Sequence, residues 1–134
     1  MTFHIKEKVL FKHCDPAGIV FYPRYFEMIN DWVEALFEHL GNPFHVLLRD
    51  GGVPTARIDA TFPAASRHGE TLEVALTCKR LGRSSLDLTI IASCNDQDRL
   101  IANATLVHVD QTGASSPWPA PLRTALAAQI EGAQ

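Results

Sequence analysis

The 134-residue sequence is short of several things that would each mark a particular kind of protein. It has only 3 cysteines, Cys14, Cys78 and Cys94, odd in number and far apart. That spacing fits neither a disulfide framework nor a zinc knuckle, and a reducing compartment is the simplest setting for it. Basic charge is not in excess: 12 Lys and Arg against 15 Asp and Glu leave a net charge of −3. No general attraction to nucleic acid is therefore expected. No run approaches the ~20 apolar residues of a membrane span. The start, Met1-Thr2-Phe3-His4-Ile5-Lys6, has no apolar stretch behind it as a secretory leader would. A cytoplasmic location without a membrane partner is the expectation. Gly-x-Ser-x-Gly is absent, which argues against a Ser-His-Asp hydrolase built on a nucleophile elbow. There is no internal repeat and no low-complexity tract.

The residues that are present describe a packed chain. With 46% hydrophobic and 20% charged residues, disorder is excluded and one domain over 1–134 is expected. The most informative stretch is His13-Cys14-Asp15-Pro16-Ala17-Gly18-Ile19-Val20-Phe21-Tyr22-Pro23. Asp15-Pro16-Ala17-Gly18 fits a type I turn, with the acid first, Pro second and Gly fourth. Pro23 suits the first turn of a helix, where its missing N–H costs nothing. Tyr22, Phe26, Ile29, Val33, Leu36, Phe37 and Leu40 then recur three or four apart and predict one apolar stripe. Gly41 and Pro43 end it. At 1.5 Å per residue, about 18 residues make a rod of roughly 27 Å. A carboxylate thus stands beside the positive end of a core-seeking helix, either as a reactive acid or only as a turn residue.

Elsewhere the pattern is mostly that of strands. Phe3–Lys12 reads as a first strand and 42–50 as a short helical or irregular connection broken by Gly51-Gly52. Val53–Ala64 reads as a strand confined by Pro54 and Pro63 to an edge or to its own ends. Leu72–Cys78 and Leu86–Ala92 alternate with period two, joined by a hairpin turn at Leu81-Gly82-Arg83-Ser84. A turn at Asn95-Asp96-Gln97-Asp98 leads to a last strand, Leu100–Asp110. A linker from Thr112 and a helix over Pro121–Ile130 complete the chain. Tight turns imply antiparallel neighbours, and a one-sided sheet needs a cover. The expected architecture is α+β, an antiparallel sheet curled around one central helix. So short a chain buries a modest share of its surface, which points to a second subunit finishing the core.

The segment from His13 to Tyr25 closely resembles the signature of hotdog-fold acyl-CoA thioesterases of the 4-hydroxybenzoyl-CoA thioesterase type: Asp-x-Asp-Pro-Ala-Gly, hydrophobic residues, then Tyr-Pro-x-Tyr. The long helix and wrapping strands extend the likeness over most of the chain. One departure is that the family has Gly-Asp where this chain has Lys12-His13. The resemblance implies a hotdog fold and hydrolysis of a small acyl-CoA or aryl-CoA thioester, with Asp15 as nucleophile or general base. It implies that the Tyr22 backbone N–H polarises the thioester carbonyl, and that Gly18, Tyr25 and His13 adjoin the substrate. Arg83 and Ser84 match positions that hold the coenzyme A nucleotide, although a solvated hairpin tip is the plainer reading. No cofactor is implied, since coenzyme A is part of the substrate. A homodimer or homotetramer with sites between subunits is implied as well.

The chemistry is consistent with that reading. A thioester carbonyl needs a nucleophile or an activated water, and a donor for the developing oxyanion. A helix N-terminus supplies free N–H groups, and its dipole favours an anion nearby. Other readings stay open: a hotdog dehydratase or hydratase, weakened by the lack of a histidine in the helix before His39, and a non-catalytic acyl-CoA-binding module. His4, His13, Cys14 and Asp15 match no common zinc spacing, so no metal is expected. Cys14 reads as an inert thiol, Phe26 as core and Trp32 as a subunit-interface residue.

Overall fold

The computed structural model describes residues 1–130. The chain runs β1 (Thr2–Lys8), a 3-10 turn (Phe11–His13), α1 (Tyr22–His39), α2 (Phe44–Leu47), β2 (Gly51–Gly52), β3 (Thr55–Thr61), β4 (Thr71–Leu81), β5 (Ser85–Cys94), β6 (Gln97–Val107), β7 (Val109–Asp110) and α3 (Ala120–Gln129). Five strands form one antiparallel sheet in the order β1-β4-β5-β6-β3, and β2 pairs with β7 in a two-stranded ladder. One face of β4, β5 and β6 is apolar and buried: Leu72, Val74, Leu76 and Cys78, then Leu86, Leu88, Ile90 and Ala92, then Leu100, Ala102, Ala104 and Leu106. The core joins that face to Met28, Ile29, Trp32, Val33, Leu36 and Phe37 of α1. This is the hotdog fold, α+β, a sheet wrapped on a central helix.

Several sequence expectations need correction. The first strand stops at Lys8 and does not reach Lys12. The Leu10 N–H donates to Nδ1 of His13 (2.9 Å), and that local closure winds Phe11–His13 into a 3-10 turn. The buried stripe of α1 keeps Ile29, Val33, Leu36 and Phe37 of the expected one and shifts only over the first turns. Tyr25, Met28 and Trp32 are buried, whereas Tyr22 and Phe26 are 61% and 38% exposed. Periodicity alone admits either start to the stripe, and the buried indole of Trp32 belongs to the observed one. Trp32 does not stand on an outer surface: it is 1% exposed, and its Nε1 donates to Glu7 of β1 at 2.9 Å.

The strand expected over Val53–Ala64 shortens to β3, with Pro54 and Pro63 outside it, and Gly51-Gly52, expected as a break, forms β2 instead. The β5–β6 hairpin turns on Asn95 and Asp96 alone, both at positive φ (53° and 60°), so Gln97 and Asp98 belong to β6. Two such residues suit the twist of a tight hairpin. The last strand breaks at His108, whose N–H donates to the Ser84 carbonyl at 2.7 Å.

Candidate active site

The approach to α1 is a small hairpin. Cys14 bridges Val20 antiparallel, the Asp15 N–H donates to the Ile19 carbonyl (3.0 Å), and the Phe21 N–H to the His13 carbonyl (3.0 Å). At its tip the Gly18 N–H donates to the Asp15 carbonyl (2.9 Å), closing the expected four-residue turn. Gly18 has φ +78°, a region that glycine enters without penalty. The Asp15 side chain accepts the Ala17 N–H on Oδ1 at 2.8 Å. Its Oδ2 takes no hydrogen bond from the described residues, and the residue is half-buried.

Seven positions on, Tyr22 opens the helix with Pro23 behind it. The Phe21 N–H is spent on His13 and the Arg24 N–H on the Phe21 carbonyl (2.8 Å). The Tyr22 N–H, whose helical acceptor would precede the helix, finds no backbone acceptor among the described residues. The hairpin therefore carries a carboxylate with one oxygen uncommitted and an unpaired amide at the positive end of an 18-residue helix.

A second turn, residues 65–70, holds this hairpin in place. Ile19 bridges Arg67, the Val20 N–H donates to the Ser66 carbonyl (2.8 Å) and the His68 N–H to the Gly18 carbonyl (3.1 Å). Tyr25 pins the same turn from the helix, donating its hydroxyl to Ser66 Oγ at 2.6 Å. Burial raises the Tyr25 pKa above its ordinary value, which keeps the donor protonated. The turn is anchored in turn by Arg99 of β6. Its guanidinium donates to both Glu70 carboxylate oxygens (2.7 and 3.2 Å) and to the Ala65 carbonyl (2.9 Å). With Arg99 beside it and the Arg67 N–H donating to it, Glu70 has a pKa lowered to about 2.

The sequence model of the thioesterase-like superfamily matches residues 9–126, which span this hairpin, the helix and the whole wrapping sheet. This chain belongs to the thioesterase-like superfamily. No curated protein sequence matches it. Solved structures do. A Synechocystis 1,4-dihydroxy-2-naphthoyl-CoA thioesterase is 21% identical with a TM-score of 0.87, covering 94% of this chain and 96% of its own. A gentisyl-coenzyme A thioesterase is 23% identical with a TM-score of 0.83, covering 95% and 100%. A Staphylococcus aureus protein solved in complex with CoA is 15% identical with a TM-score of 0.91, covering 100% and 87%. At such identities the likeness is one of fold.

Within this superfamily member the remaining candidate residues separate. His13 is 8% exposed; its Nδ1 is committed to the Leu10 N–H, and burial lowers its pKa, so the neutral ring is favoured. It lines a polar cleft of about 360 Å³ with Lys12, Arg24, Glu27, Met28 and Asp31. Tyr25 is 3% exposed and stacks on Phe62 with centroids 5.4 Å apart, so its ring supports the site from beneath. Tyr22 is exposed, edge-on to Phe21 and Phe62, which are exposed as well.

Arg83 and Ser84 lie in the β4–β5 hairpin, at the far end of β4 from the turn that holds Asp15. Eleven strand residues separate the two ends, roughly 35 Å at the usual rise. Within one chain these residues do not share a site with Asp15. Their backbone is held by the C-terminal segment: the Trp118 N–H donates to the Arg83 carbonyl (3.2 Å), and Arg123 to the Gly82 carbonyl (2.9 Å).

Ser66, Glu70, Arg99 and Phe62 carry the site without having been singled out by sequence. Glu70 and Arg99 are 29 residues apart, and no spacing rule connects them. Cys14 is half-buried; burial and the Asp15 charge raise its pKa, which disfavours the thiolate a nucleophile needs. Among the described residues no group of three or more His, Cys, Asp or Glu is placed to hold a metal ion, and no helix is long and apolar enough to cross a membrane.

Proposed function

We propose that this chain hydrolyses a small acyl-CoA or aryl-CoA thioester of the 4-hydroxybenzoyl-CoA type to the free acid and coenzyme A. The observation that carries the proposal is the hairpin: an acid with a free Oδ2, followed seven residues later by an unpaired helix N-terminal amide. The Tyr22 N–H and the positive end of α1 stabilise the oxyanion as the carbonyl becomes tetrahedral. Asp15 delivers the oxygen that attacks, either its own or that of a water it deprotonates, and the thiolate of coenzyme A leaves. The exposed aromatics Tyr22, Phe21 and Phe62 offer an apolar shelf beside that amide. Two solved thioesterases of similar fold are named for aromatic acyl-CoA compounds, which supports the same substrate class here.

In this reading the protein is a cytoplasmic homodimer or homotetramer with its sites between subunits. That assembly gives Arg83 and Ser84 a role that their own chain denies them, because a second copy can bring its hairpin to the coenzyme A end of the site. A hydratase reading lacks its histidine: His39 is the last residue of α1, its ring tilted against Phe3 with centroids 4.9 Å apart.

The test is release of free thiol from a panel of aryl-CoA and short acyl-CoA thioesters, with Asp15→Asn beside the parent protein. Turnover by the parent and loss of at least about a hundredfold in the variant are expected, the scale of one missing catalytic group. Equal turnover by the two proteins removes Asp15 from the mechanism. Tight binding without turnover makes the chain a binding module instead.

A further inference from the structure

His13 is bonded at both ends, and the two ends reach different parts of the site. Its carbonyl accepts the Phe21 N–H (3.0 Å), so the base of the acid's hairpin is closed one residue before the Tyr22 amide. Asp15 follows His13 by two residues. Its ring closes the chain in the other direction. Nδ1 accepts the Leu10 N–H at 2.9 Å, the His13 N–H donates to the Leu10 carbonyl (3.0 Å) and the Cys14 N–H to the Phe11 carbonyl (3.1 Å). Val9, just before Leu10, is bonded twice to the 65–70 turn. Its N–H donates to the Glu70 carbonyl (2.8 Å), and its carbonyl accepts the Gly69 N–H (2.9 Å). The 3-10 turn is therefore a strut between the clamped 65–70 turn and the base of the Asp15 hairpin.

We propose that His13 is a positioning residue for Asp15 and the Tyr22 amide, and that it acts only as a neutral ring. This deepens the proposed function, and its kinetic readout rests on that reading. A backbone N–H can only donate, so the bond from Leu10 fixes the tautomer: Nδ1 is bare and the ring proton sits on Nε2. A second proton can enter only at Nδ1. It would set an N–H against the Leu10 N–H, donor to donor, and the closure would break. The strut then yields, and the carboxylate loses its fixed place relative to the helix start. A displacement of about 1 Å between reacting groups costs on the order of a hundredfold in rate.

The charges around the ring do not favour that proton. Glu7 of β1 already receives the Trp32 indole (2.9 Å), and Glu27 of α1 receives Arg24 (2.9 Å). Lys12 of the turn and Arg24 of α1 both oppose a further positive charge, and Asp31 is the other acid of the cleft. Burial of the ring outweighs the two acids and lowers the pKa, so the proton enters only below the ordinary histidine range. The hairpin is thus held at neutral pH and released as the pH falls.

The experiment uses the full chain, labelled with nitrogen-15 at its histidine rings. Nitrogen NMR reads the tautomer directly, the His13 signals being those that vanish in His13→Asn. A bare Nδ1 with the proton on Nε2 is expected at neutral pH, with the protection of the Leu10 amide falling as the ring titrates. Thiol release from an aryl-CoA thioester gives the second readout. His13→Leu removes the acceptor and is expected to lower kcat about tenfold or more, with KM within about twofold. His13→Asn places an oxygen where Nδ1 stands and cannot titrate. It is expected to recover kcat to within about threefold of the parent and to hold it to lower pH. A proton on Nδ1 at neutral pH, an acid limb shared by the parent and His13→Asn, or His13→Asn as slow as His13→Leu overturns the proposal. The tautomer and the His13→Asn profile decide it even where His13→Leu does not fold. Absence of turnover with the expected tautomer and Leu10 protection counts against the thioesterase alone; turnover with Nδ1 protonated counts against His13 alone.

Discussion

Replacing Glu70 by Gln is the sharpest test of how the site is held. The Glu70 carboxylate receives Arg99 through two nitrogens, the Arg67 N–H at 2.6 Å and the Cys94 thiol at 3.8 Å. Its pKa falls from 4.5 to about 2, which at about 1.4 kcal/mol per decade corresponds to roughly 3 kcal/mol of folding stability. The Glu70 side chain is 24% exposed, so solvent screening brings the figure toward roughly 2 kcal/mol. Arg99, at 6%, would be left with its charge unpaired, which pushes the loss up again. We expect Glu70→Gln to lose about 2–3 kcal/mol at pH 7 in urea unfolding. The sign of the pH effect follows from the direction of the shift. The folded carboxyl is the stronger acid, so its contribution is complete above about pH 4.5 and fades as pH falls toward 2. The parent protein should weaken across that window, and the variant should lose about one proton's worth of that slope. A variant within about 0.5 kcal/mol of the parent at pH 7, with the same slope between pH 5 and 3, would refute the argument.

Tyr25→Phe removes the hydroxyl that reaches Ser66 and leaves its partner buried, and should cost about 1–2 kcal/mol in thermal or urea unfolding. Gly18→Ala forces a Cβ into φ +78° with open space around it, so about 1 kcal/mol of backbone strain and no clash is expected. Gly51→Ala is different in kind: its Cβ would meet the Val109 carbonyl, so the β2–β7 ladder should open, read as faster amide exchange at Gly52 and Asp110. Asp15→Asn keeps an oxygen for the Ala17 N–H and should melt within about 2 °C of the parent while thiol release falls, which separates chemistry from folding.

What could be read from sequence was whatever has a local cause. The Asp15–Gly18 turn, the helix start at Tyr22 and the two central hairpins all follow from turn chemistry or from period-two alternation. The helix face was read correctly from Ile29 to Phe37 and misjudged at its start, because Tyr22-Phe26 and Tyr25-Met28-Trp32 both fit the helical period. What chooses between them is a bond from Trp32 to Glu7 on another element. The end of β1 was overrun because Val9, Leu10 and Phe11 look like strand residues, yet the His13 imidazole bonds back to Leu10. The clamp under the acid was invisible for a related reason. Ser66, Glu70 and Arg99 acquire meaning only when β6 lies beside the 65–70 turn, and Arg99 reads in isolation as one more surface charge.

The two ends of β4 carry the remaining argument. Its first residue follows the turn that grips the Asp15 hairpin, and its last precedes Gly82-Arg83-Ser84. β4 is held on both sides by β1 and β5, so no loop motion within one chain brings its two ends together. A coenzyme A thioester that meets Asp15 with its carbonyl therefore either leaves its nucleotide in water or finds phosphate ligands on another copy. Arg83→Ala separates the two: if another copy supplies the ligand, KM should rise for the coenzyme A thioester and stay unchanged for a thioester that lacks the nucleotide, whereas equal KM values for variant and parent on both would leave the nucleotide in water.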